Sequence, residues 1–322
     1  MHSMRKITLL TLLVCLFPLG CLADGLVLAL AKSPLSLPFY IAQSEGYFAS
    51  EGLQLQVIEV EGGHRAMQLL RDGQAQVATA SETVVMFNSF KGQDFSLLAC
   101  FAFSKDDVKL IASKGSGVTR VEQLAGKRVA TIQGAASHYY LDTLALLHGV
   151  DPASIQLSNL QPEAMQEALR QKQVDAIAVW QPYAYRAEHE VPDSRVLDDR
   201  GFHTLRFNII IPRKLVQAAD APWDKLLRAL LRAQSFIVGE PAKARAVLAE
   251  RLHLDAAYID WLWPRYHYQL TLDQSLITSL ESEARWARSQ GHVQAKSSPN
   301  YLAFIHSLPL RRVLPSAVGL TE

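Results

Sequence analysis

The alternation of strand and helix is clearest in residues 53–80, which read LQLQVIEVEGGHRAMQLLRDGQAQVATA. Apolar and polar residues alternate over 53–57, which is the period of two that a β-strand shows. Residues 64–72 carry apolar side chains on one helical face, and Gly73 ends that helix. Residues 75–80 form a short apolar run typical of a buried strand. The stretch therefore predicts a strand–helix–strand unit, which is the building block of α/β proteins.

The same alternation continues on both sides of this unit and divides into two blocks, at about 24–115 and 118–200. Further strands are predicted at residues 25–30, 95–101, 108–113, 127–132, 155–160, 174–179 and 204–211. After Pro212 the pattern becomes almost purely helical. This tail is too poor in strands to form a third α/β unit, so the chain is expected to leave one lobe, build a second and return.

The predicted fold class is α/β, with two Rossmann-like lobes, a ligand cleft between them and a helical C-terminal part. Lobe 1 comprises residues 24–115 plus 203–322, and lobe 2 comprises residues 116–202. The hinge is placed near Gly115-Ser116-Gly117 and again at 199–203. Ligands of open α/β sheets bind beyond the carboxyl ends of the strands, so the cleft should lie where those ends face each other.

Composition restricts the class of partner. The 322 residues are 49% hydrophobic and 20% charged, and 32 basic against 31 acidic residues leave a net charge of +1. A balanced charge creates no broad field for nucleic acid or anionic lipid, so nucleic-acid binding is not expected. Length alone suggests two structural units.

The N-terminus has the layout of a secretory signal peptide over residues 1–23. Arg5 and Lys6 precede an apolar run that is shorter than the ~20 residues of a spanning helix. Ordinary cleavage before Asp24 is favoured over attachment of a lipid to Cys21, which would tether the protein. Both routes predict a periplasmic location, and ordinary cleavage leaves Cys100 as the single, buried cysteine of the mature chain.

Candidate ligand-binding residues follow the predicted strand ends, where small, hydroxylated and aromatic side chains collect. They are Ser33, Phe39, Tyr40, Gly62, Gly63, His64, Ser81, Glu82, Thr83, Gly134, Ser137, His138, Trp180 and Gln181.

Two types of contact are expected from these residues. Helix starts after Gly63, at Ser81 and after Gly134 offer free N–H groups to an anion. The alternative for each of them is a purely local role, as a turn glycine or a helix cap. Trp180 is either a stacking wall for the ligand or packing between the lobes, and Phe39 or Tyr40 would form the opposite wall.

Glu82 either favours an amino or amidine group on the ligand or is a solvated first-turn carboxylate.

No sequence motif indicates catalysis. The chain has no His-Glu-x-x-His zinc motif, no Gly-x-Ser-x-Gly nucleophile turn and no Gly-x-x-x-x-Gly-Lys phosphate loop. A single mature cysteine cannot form a cysteine-rich metal site. The sequence therefore predicts a binding protein that is not an enzyme and has no cofactor or metal.

Several blocks of the chain resemble one family of binding proteins. The stretch PFYIAQSEGYFASEGL at residues 38–53 resembles the opening of substrate-binding proteins of nitrate, sulfonate, taurine and thiamine-pyrimidine ABC importers. Further matching blocks are Gly62-Gly63 with residues 66–74, and residues 124–129, 134–140 and 174–183. The resemblance covers about residues 26–240. It implies a type II periplasmic-binding-protein fold that closes on a small-molecule ligand and docks, as a monomer, on a permease in the inner membrane.

The resemblance leaves the ligand open. Ser33, Ser81, Ser137, His138 and Trp180 fall where such proteins line the cleft, and Ser137 suits a sulfonate, taurine or nitrate-like anion. Binders of a thiamine pyrimidine precursor commonly use stacking and a carboxylate, which Trp180, Tyr40 and Glu82 could supply. Gln181 stands where a Glu is commonest and removes a charge. A pyrimidine-forming enzyme and a ligand-sensing partner of a membrane receptor are the alternatives of another class.

Overall fold

A computed structural model describes residues 25–197, 201–217 and 221–321. The predicted signal peptide and Cys21 lie outside the described residues. Strands within these ranges are β1 (Leu26–Ala31), β2 (Leu55–Val60), β3 (Val77–Ser81), β4 (Phe95–Ser104), β5 (Val108–Ser113), β6 (Arg128–Thr131), β7 (Gln156–Asn159), β8 (Ala176–Trp180), β9 (Ser194–Leu197), β10 (Leu205–Pro212), β11 (Tyr266–His267), β12 (Leu272–Asp273) and β13 (Val318–Gly319).

The α-helices of the same ranges alternate with the strands as far as β8 and dominate the chain after β10. They are α1 (Leu37–Ser44), α2 (Tyr47–Ser50), α3 (Gly63–Arg71), α4 (Glu82–Ser89), α5 (Ala136–Leu147), α6 (Pro162–Arg170), α7 (Tyr183–Glu190), α8 (Trp223–Gly239), α9 (Pro241–Leu252), α10 (Ala256–Leu262), α11 (Gln274–Ser289) and α12 (Leu308–Val313). Among the described helices, none combines the length and the apolar character that crossing a membrane requires.

The first lobe is built on a six-stranded sheet with the order β11-β4-β10-β3-β1-β2. β1 pairs in parallel with β2 and β3, as the sequence pattern predicts, whereas β10 runs antiparallel to both β3 and β4. The carboxyl ends of β1, β2 and β3 and the amino end of β10 therefore meet at one edge of the sheet. The helical tail also contributes β11 to this sheet, which the predicted helical pattern missed.

The second lobe is built on a five-stranded sheet with the order β7-β6-β8-β5-β9. β6 is parallel to β7 and β8, and β5 is antiparallel to β8 and β9. The two α/β lobes are thus confirmed, but each sheet is mixed rather than purely parallel. A strand that enters from the neighbouring lobe arrives from the opposite direction, which explains why β5 and β10 are antiparallel.

The membership of β5 moves the first crossing between the lobes. The predicted hinge at Gly115–Gly117 follows β5, yet β5 pairs with β8 of the second sheet. The chain therefore crosses between Ser104 and Val108, about ten residues earlier than the sequence suggested. It returns between β9 and β10, where residues 199 and 200 of the predicted second hinge lie outside the described residues.

Phe39 and Tyr40 are core residues of the first lobe, contrary to their expected place on the ligand wall. Both side chains are 1% exposed. The Phe39 ring packs edge-on against Phe101 at 5.0 Å between centroids, and the Arg251 guanidinium lies 5.2 Å from the Tyr40 ring centroid. Residues 37–42 of α1 are all buried, so this short helix has no face left to offer a ligand.

Candidate functional site

A cavity lies between the two lobes, at the sheet edges where the strand ends face each other. It encloses about 380 Å³, counting the solvent at its mouth. Residues from both lobes line it, namely Lys32, Ser33, Gly62, Gly63, His64, Ser81, Val84, Asp107, Ala135, Ala136, Trp180, Leu205 and Phe207. Six of the predicted site residues are in this set, so the strand-end rule located the cleft.

Three helices begin at the cavity. α3 starts beside Gly62, α4 starts beside Ser81, and α5 of the opposite lobe starts beside Ala135. The first N–H groups of a helix have no partner within the helix, and its N-terminus carries roughly half a positive charge. Ser81 Oγ accepts from Val84 N at 3.4 Å, so this hydroxyl caps α4 as well as lining the cavity. The three N-termini make the cavity electropositive.

The Lys32 ammonium adds a full positive charge at the same place. It lies 3.1 Å from Glu61 Oε1, and its side chain is 40% exposed. Glu61 also accepts a hydrogen bond of 2.8 Å from the Tyr183 hydroxyl of the second lobe. Because Glu61 partly neutralises Lys32, the helix N-termini are the cavity's main uncompensated source of positive potential.

Gly62 and Gly63 serve close packing, which is a more specific reason for glycine than the predicted access for a ligand. Gly62 has φ +80, and a Cβ there would lie 2.8 Å from the His64 ring and 3.1 Å from Cζ2 of Trp180. A Cβ on Gly63 would lie 2.6 Å from Cα of Ala80. Distances below 3 Å exclude a side chain, so the pair allows α3 to start against β3 and beneath Trp180.

Trp180 ends β8 and reaches across to the first lobe, where it forms one wall of the cavity. Its side chain is 9% exposed, and its ring centroid is 6.3 Å from that of His64. Burial first, and then the Arg65 charge, lower the pKa of His64, which is therefore neutral at pH 7. Trp180 thus packs between the lobes, as one of its two predicted roles requires, and it also lines the cavity, whereas its stacking on a ligand stays a prediction.

Asp107 is the acidic group of the cavity lining. It lies in the first crossing between the lobes, and Tyr266 donates a hydrogen bond of 2.6 Å to its Oδ1. Burial raises its pKa to about 7, against the opposing effects of the Tyr266 hydrogen bond and the Lys109 charge. The cavity therefore combines an electropositive side with one carboxylate that a cationic group would keep ionised.

Glu82 and Thr83 do not line the cavity, although the residues on either side of them do. Glu82 is fully buried, and its Oε2 accepts a hydrogen bond of 2.8 Å from the backbone N–H of Arg206. The Thr83 hydroxyl donates to Glu283 Oε1 at 3.2 Å. The first turn of α4 directs these two side chains into the first lobe. The proposed roles of Glu82, as a cleft carboxylate or a solvated one, are both wrong.

Gly134, Ser137 and His138 also lie behind the cavity wall. The Thr131 and Ser137 hydroxyls share a hydrogen bond of 2.8 Å, and both are buried. Gly134 N–H donates to His138 Nδ1 at 3.3 Å. Burial lowers the pKa of His138 to about 4, so this ring is neutral at pH 7. Ala135 and Ala136 occupy the lining position that the sequence assigned to Ser137.

Gln181 is a structural residue at the start of α7. It is 1% exposed, and its Oε1 accepts a hydrogen bond of 2.9 Å from Tyr185 N. Its backbone N–H donates to the carbonyl of Asp107. The side chain thus fastens the end of β8 rather than facing a ligand.

Sequence reasoning missed Lys32, Asp107 and the apolar side chains from α4 and β10. Lys32 directly follows the first strand, so the strand-end rule could have included it. Asp106 and Asp107 form an acidic pair between two apolar strands. Asp107 reaches the cavity because the chain crosses between the lobes at this point, whereas the sequence pattern had placed the crossing about ten residues later. Leu205 and Phe207 line the cavity only because β10 returns antiparallel beside β3.

Comparisons with known proteins agree with this geometry. A family model described as NMT1/THI5 like matches residues 33–244. The chain is 25% identical over 191 residues to the "Taurine-binding periplasmic protein" of Escherichia coli, a match that covers 59% of this chain and 58% of the relative. It is 26% identical over 122 residues to a "4-amino-5-hydroxymethyl-2-methylpyrimidine phosphate synthase" of Legionella pneumophila, which covers 38% of each chain.

Among solved structures, the chain superimposes on the periplasmic aliphatic sulphonate binding protein SsuA from Escherichia coli with a TM-score of 0.72. The identity is 20%, and the match covers 87% of this chain and 91% of that one. This similarity shows that the two proteins share the periplasmic-binding-protein fold. By sequence, the chain spans only about half the length of the curated relatives that it matches.

Proposed function

The chain belongs to the NMT1/THI5-like family, and from this we propose that it is the periplasmic solute-binding component of an ABC importer. Its ligand would be a small organosulfonate held in the interlobe cavity and delivered to a membrane permease. The similar taurine-binding protein of Escherichia coli supports this proposal. Binding, rather than chemistry on the ligand, would be the function.

The observation that carries the proposal is the convergence of three helix N-termini on one cavity. A sulfonate spreads one negative charge over three oxygens, each of which accepts hydrogen bonds. Free N–H groups at the starts of α3 and α4 approach from one lobe, and those of α5 approach from the other. Such sites bind oxyanions without a charged side chain.

Asp107 favours an aminosulfonate such as taurine within this class. The helix N-termini would hold the sulfonate, and the Asp107 carboxylate would pair with the ammonium group. Burial disfavours the ionised form of Asp107 and so raises its pKa, and a bound ammonium group would stabilise that ionised form. An unsubstituted alkanesulfonate would add no positive charge beside this buried carboxylate, on which only the Tyr266 hydrogen bond and the Lys109 charge oppose the effect of burial.

A heteroaromatic pyrimidine is the second candidate ligand, and Trp180 is the observation that favours it. A flat ring could stack on the indole beside His64, and the Legionella relative is named for a phosphorylated pyrimidine. The cavity lining formed by the described residues contains no cysteine that could serve the enzyme alternative as a nucleophile. Cys100 lies in β4, is 1% exposed and has a pKa raised to about 12 by burial, so its thiol is unreactive.

Calorimetry with four compounds tests the proposal. The panel is taurine, ethanesulfonate, β-alanine and 4-amino-5-hydroxymethyl-2-methylpyrimidine. We expect taurine to bind best, and Asp107→Asn to weaken taurine while leaving ethanesulfonate nearly unchanged. Binding of the pyrimidine alone would transfer the assignment to the second candidate. The proposal would be refuted if neither taurine nor ethanesulfonate bound.

Trp180→Ala tests the placement of the ligand. Loss of an aromatic wall worth about 1–3 kcal/mol should weaken the dissociation constant by roughly 10- to 100-fold. Trp263→Ala is the matched control, because Trp263 contacts Arg245 and Tyr268 and is absent from the lining of the interlobe cavity. An unchanged dissociation constant for Trp180→Ala would place the ligand elsewhere.

A further inference from the structure

A second polar cluster lies inside the first lobe, behind the cavity wall. It consists of Glu82 at the start of α4, Glu283 on α11 and His203 in the connection that leads into β10. Glu82 is 0% exposed and Glu283 is 1% exposed, and the His203 side chain is 9% exposed. Two carboxylates and an imidazole so deeply buried require a compensating partner.

Each of the three side chains has one buried atom without a hydrogen-bond partner among the described residues. These atoms are Glu82 Oε1, Glu283 Oε2 and His203 Nε2. His203 Nε2 lies 3.9 Å from Glu82 Oε1, which is too long for a hydrogen bond. One ligand atom from each residue lies within 4.8 Å of the other two. The three side chains therefore surround a single small volume.

The other atoms of the two carboxylates are already fixed by neighbours. Arg206 N–H donates to Glu82 Oε2, and the Thr83 hydroxyl donates to Glu283 Oε1 at 3.2 Å. These bonds hold the two carboxylates in place and leave one oxygen of each without a hydrogen-bond partner among the described residues. Outer-shell hydrogen bonds of this kind commonly orient the ligands of metal sites.

The nearby guanidinium of Arg206 does not satisfy the cluster. Its Nη1 donates to the Thr204 carbonyl and the Ser279 hydroxyl, and its Nη2 donates to the Ser275 hydroxyl. A single proton shared by the two carboxylates would still leave His203 Nε2 without a partner. A divalent cation satisfies all three atoms at once and balances two negative charges.

We propose that Glu82, Glu283 and His203 bind a first-row divalent metal ion such as Zn²⁺. Two carboxylate oxygens and one imidazole nitrogen are a donor set that zinc accepts, with a remaining position for water. Metal–ligand distances of about 2.0–2.2 Å require the three ligand atoms to come slightly closer to one another than they are now. The ion would tie the returning connection between the lobes to α4 and α11 of the first lobe.

The test uses the whole, untagged protein after treatment with EDTA and titrates it with ZnCl₂ by calorimetry. We expect one equivalent to bind, and Glu283→Gln and His203→Gln each to weaken binding at least about 100-fold. His292→Gln is the matched control. It removes a histidine from the other potential ligand group, formed by His138, Asp142 and His292, and should retain binding.

Thermal unfolding and cobalt absorption give independent readouts of the same site. Zn²⁺ should raise the melting temperature of the wild type and leave that of Glu283→Gln unchanged. Co²⁺ should give an intense visible spectrum in the wild type and lose it in His203→Gln. Absence of stoichiometric binding would overturn the proposal. The proposal would also be overturned if His292→Gln abolished zinc binding while His203→Gln retained it.

Discussion

Replacing Gly62 by alanine tests the contact between the two lobes at the cavity. Gly62 precedes α3 with φ +80 and ψ 147, a backbone conformation essentially restricted to glycine. The new Cβ would lie 2.8 Å from the His64 ring and 3.1 Å from Cζ2 of Trp180. His64 belongs to the same lobe, whereas Trp180 comes from the other lobe.

Two costs contribute to the expected loss of stability. Holding an alanine in this backbone region costs about 1–3 kcal/mol. Overpacking against two ring systems costs about 1–3 kcal/mol more if the rings stay in place. The sum is roughly 2–6 kcal/mol, a large fraction of the ~5–15 kcal/mol that stabilises a typical domain.

Urea unfolding of Gly62→Ala and Gly73→Ala separates the two costs. Gly73 has φ +74 and no atom within 4 Å of its would-be Cβ, so its substitution should cost only the backbone term of about 1–2 kcal/mol. Combining Gly62→Ala with Trp180→Leu should recover part of the overpacking cost, which a double-mutant cycle measures. Equal losses for the two glycine variants, or strict additivity with Trp180→Leu, would refute the packing of Trp180 over Gly62.

Two further predictions concern buried titratable groups. The folded-state pKa of Asp107, about 7, lies above its ordinary value of 3.8, so its contribution to stability is full below pH ~4 and is lost as pH rises through 7. Between pH 4 and 8, the free energy of unfolding from urea titrations should therefore fall by on the order of 4 kcal/mol less in Asp107→Asn than in the wild type; equal losses in the two proteins would contradict this. Burial raises the pKa of Cys100 to about 12, so iodoacetamide should alkylate it only after unfolding, and peptide mass spectrometry showing rapid native labelling would disprove its burial.

The architecture was largely predictable because its signals are local. The alternation over residues 53–80 appears as β2, α3 and β3, and Gly73 follows α3 as expected. The crossing between the lobes was not predictable to the residue. β4 and β5 are both apolar strands separated by three residues, and a tight hairpin within one sheet would have the same sequence pattern. Only the pairing of β5 with β8 distinguishes the two arrangements.

The candidate site was predictable by position but not by side-chain direction. Ser81 and Glu82 are neighbours, yet the first lines the cavity and the second points into the lobe. That difference depends on which face α4 turns towards β10, a tertiary property with no local signal. Trp180 was identifiable because a large aromatic side chain at a strand end, followed by Gln181 and Pro182, has few places to pack within its own lobe.

The division of the cavity between the lobes explains how a ligand could control closure. The ion pair between Arg65 and Glu163 contributes little, since the two side chains are 3.1 Å apart but 38% and 42% exposed, and such pairs contribute at most about 1 kcal/mol. The hydrogen bond from Tyr183 to Glu61 contributes about as much. Shifting a two-state equilibrium from 1:99 to 99:1 requires about 5.5 kcal/mol of differential binding. A ligand that contacts α3 and α4 on one side and Trp180 on the other makes its second set of contacts only in the closed form. Its binding energy then differs between the open and closed forms, and this difference is what allows a ligand to shift the population towards the closed form.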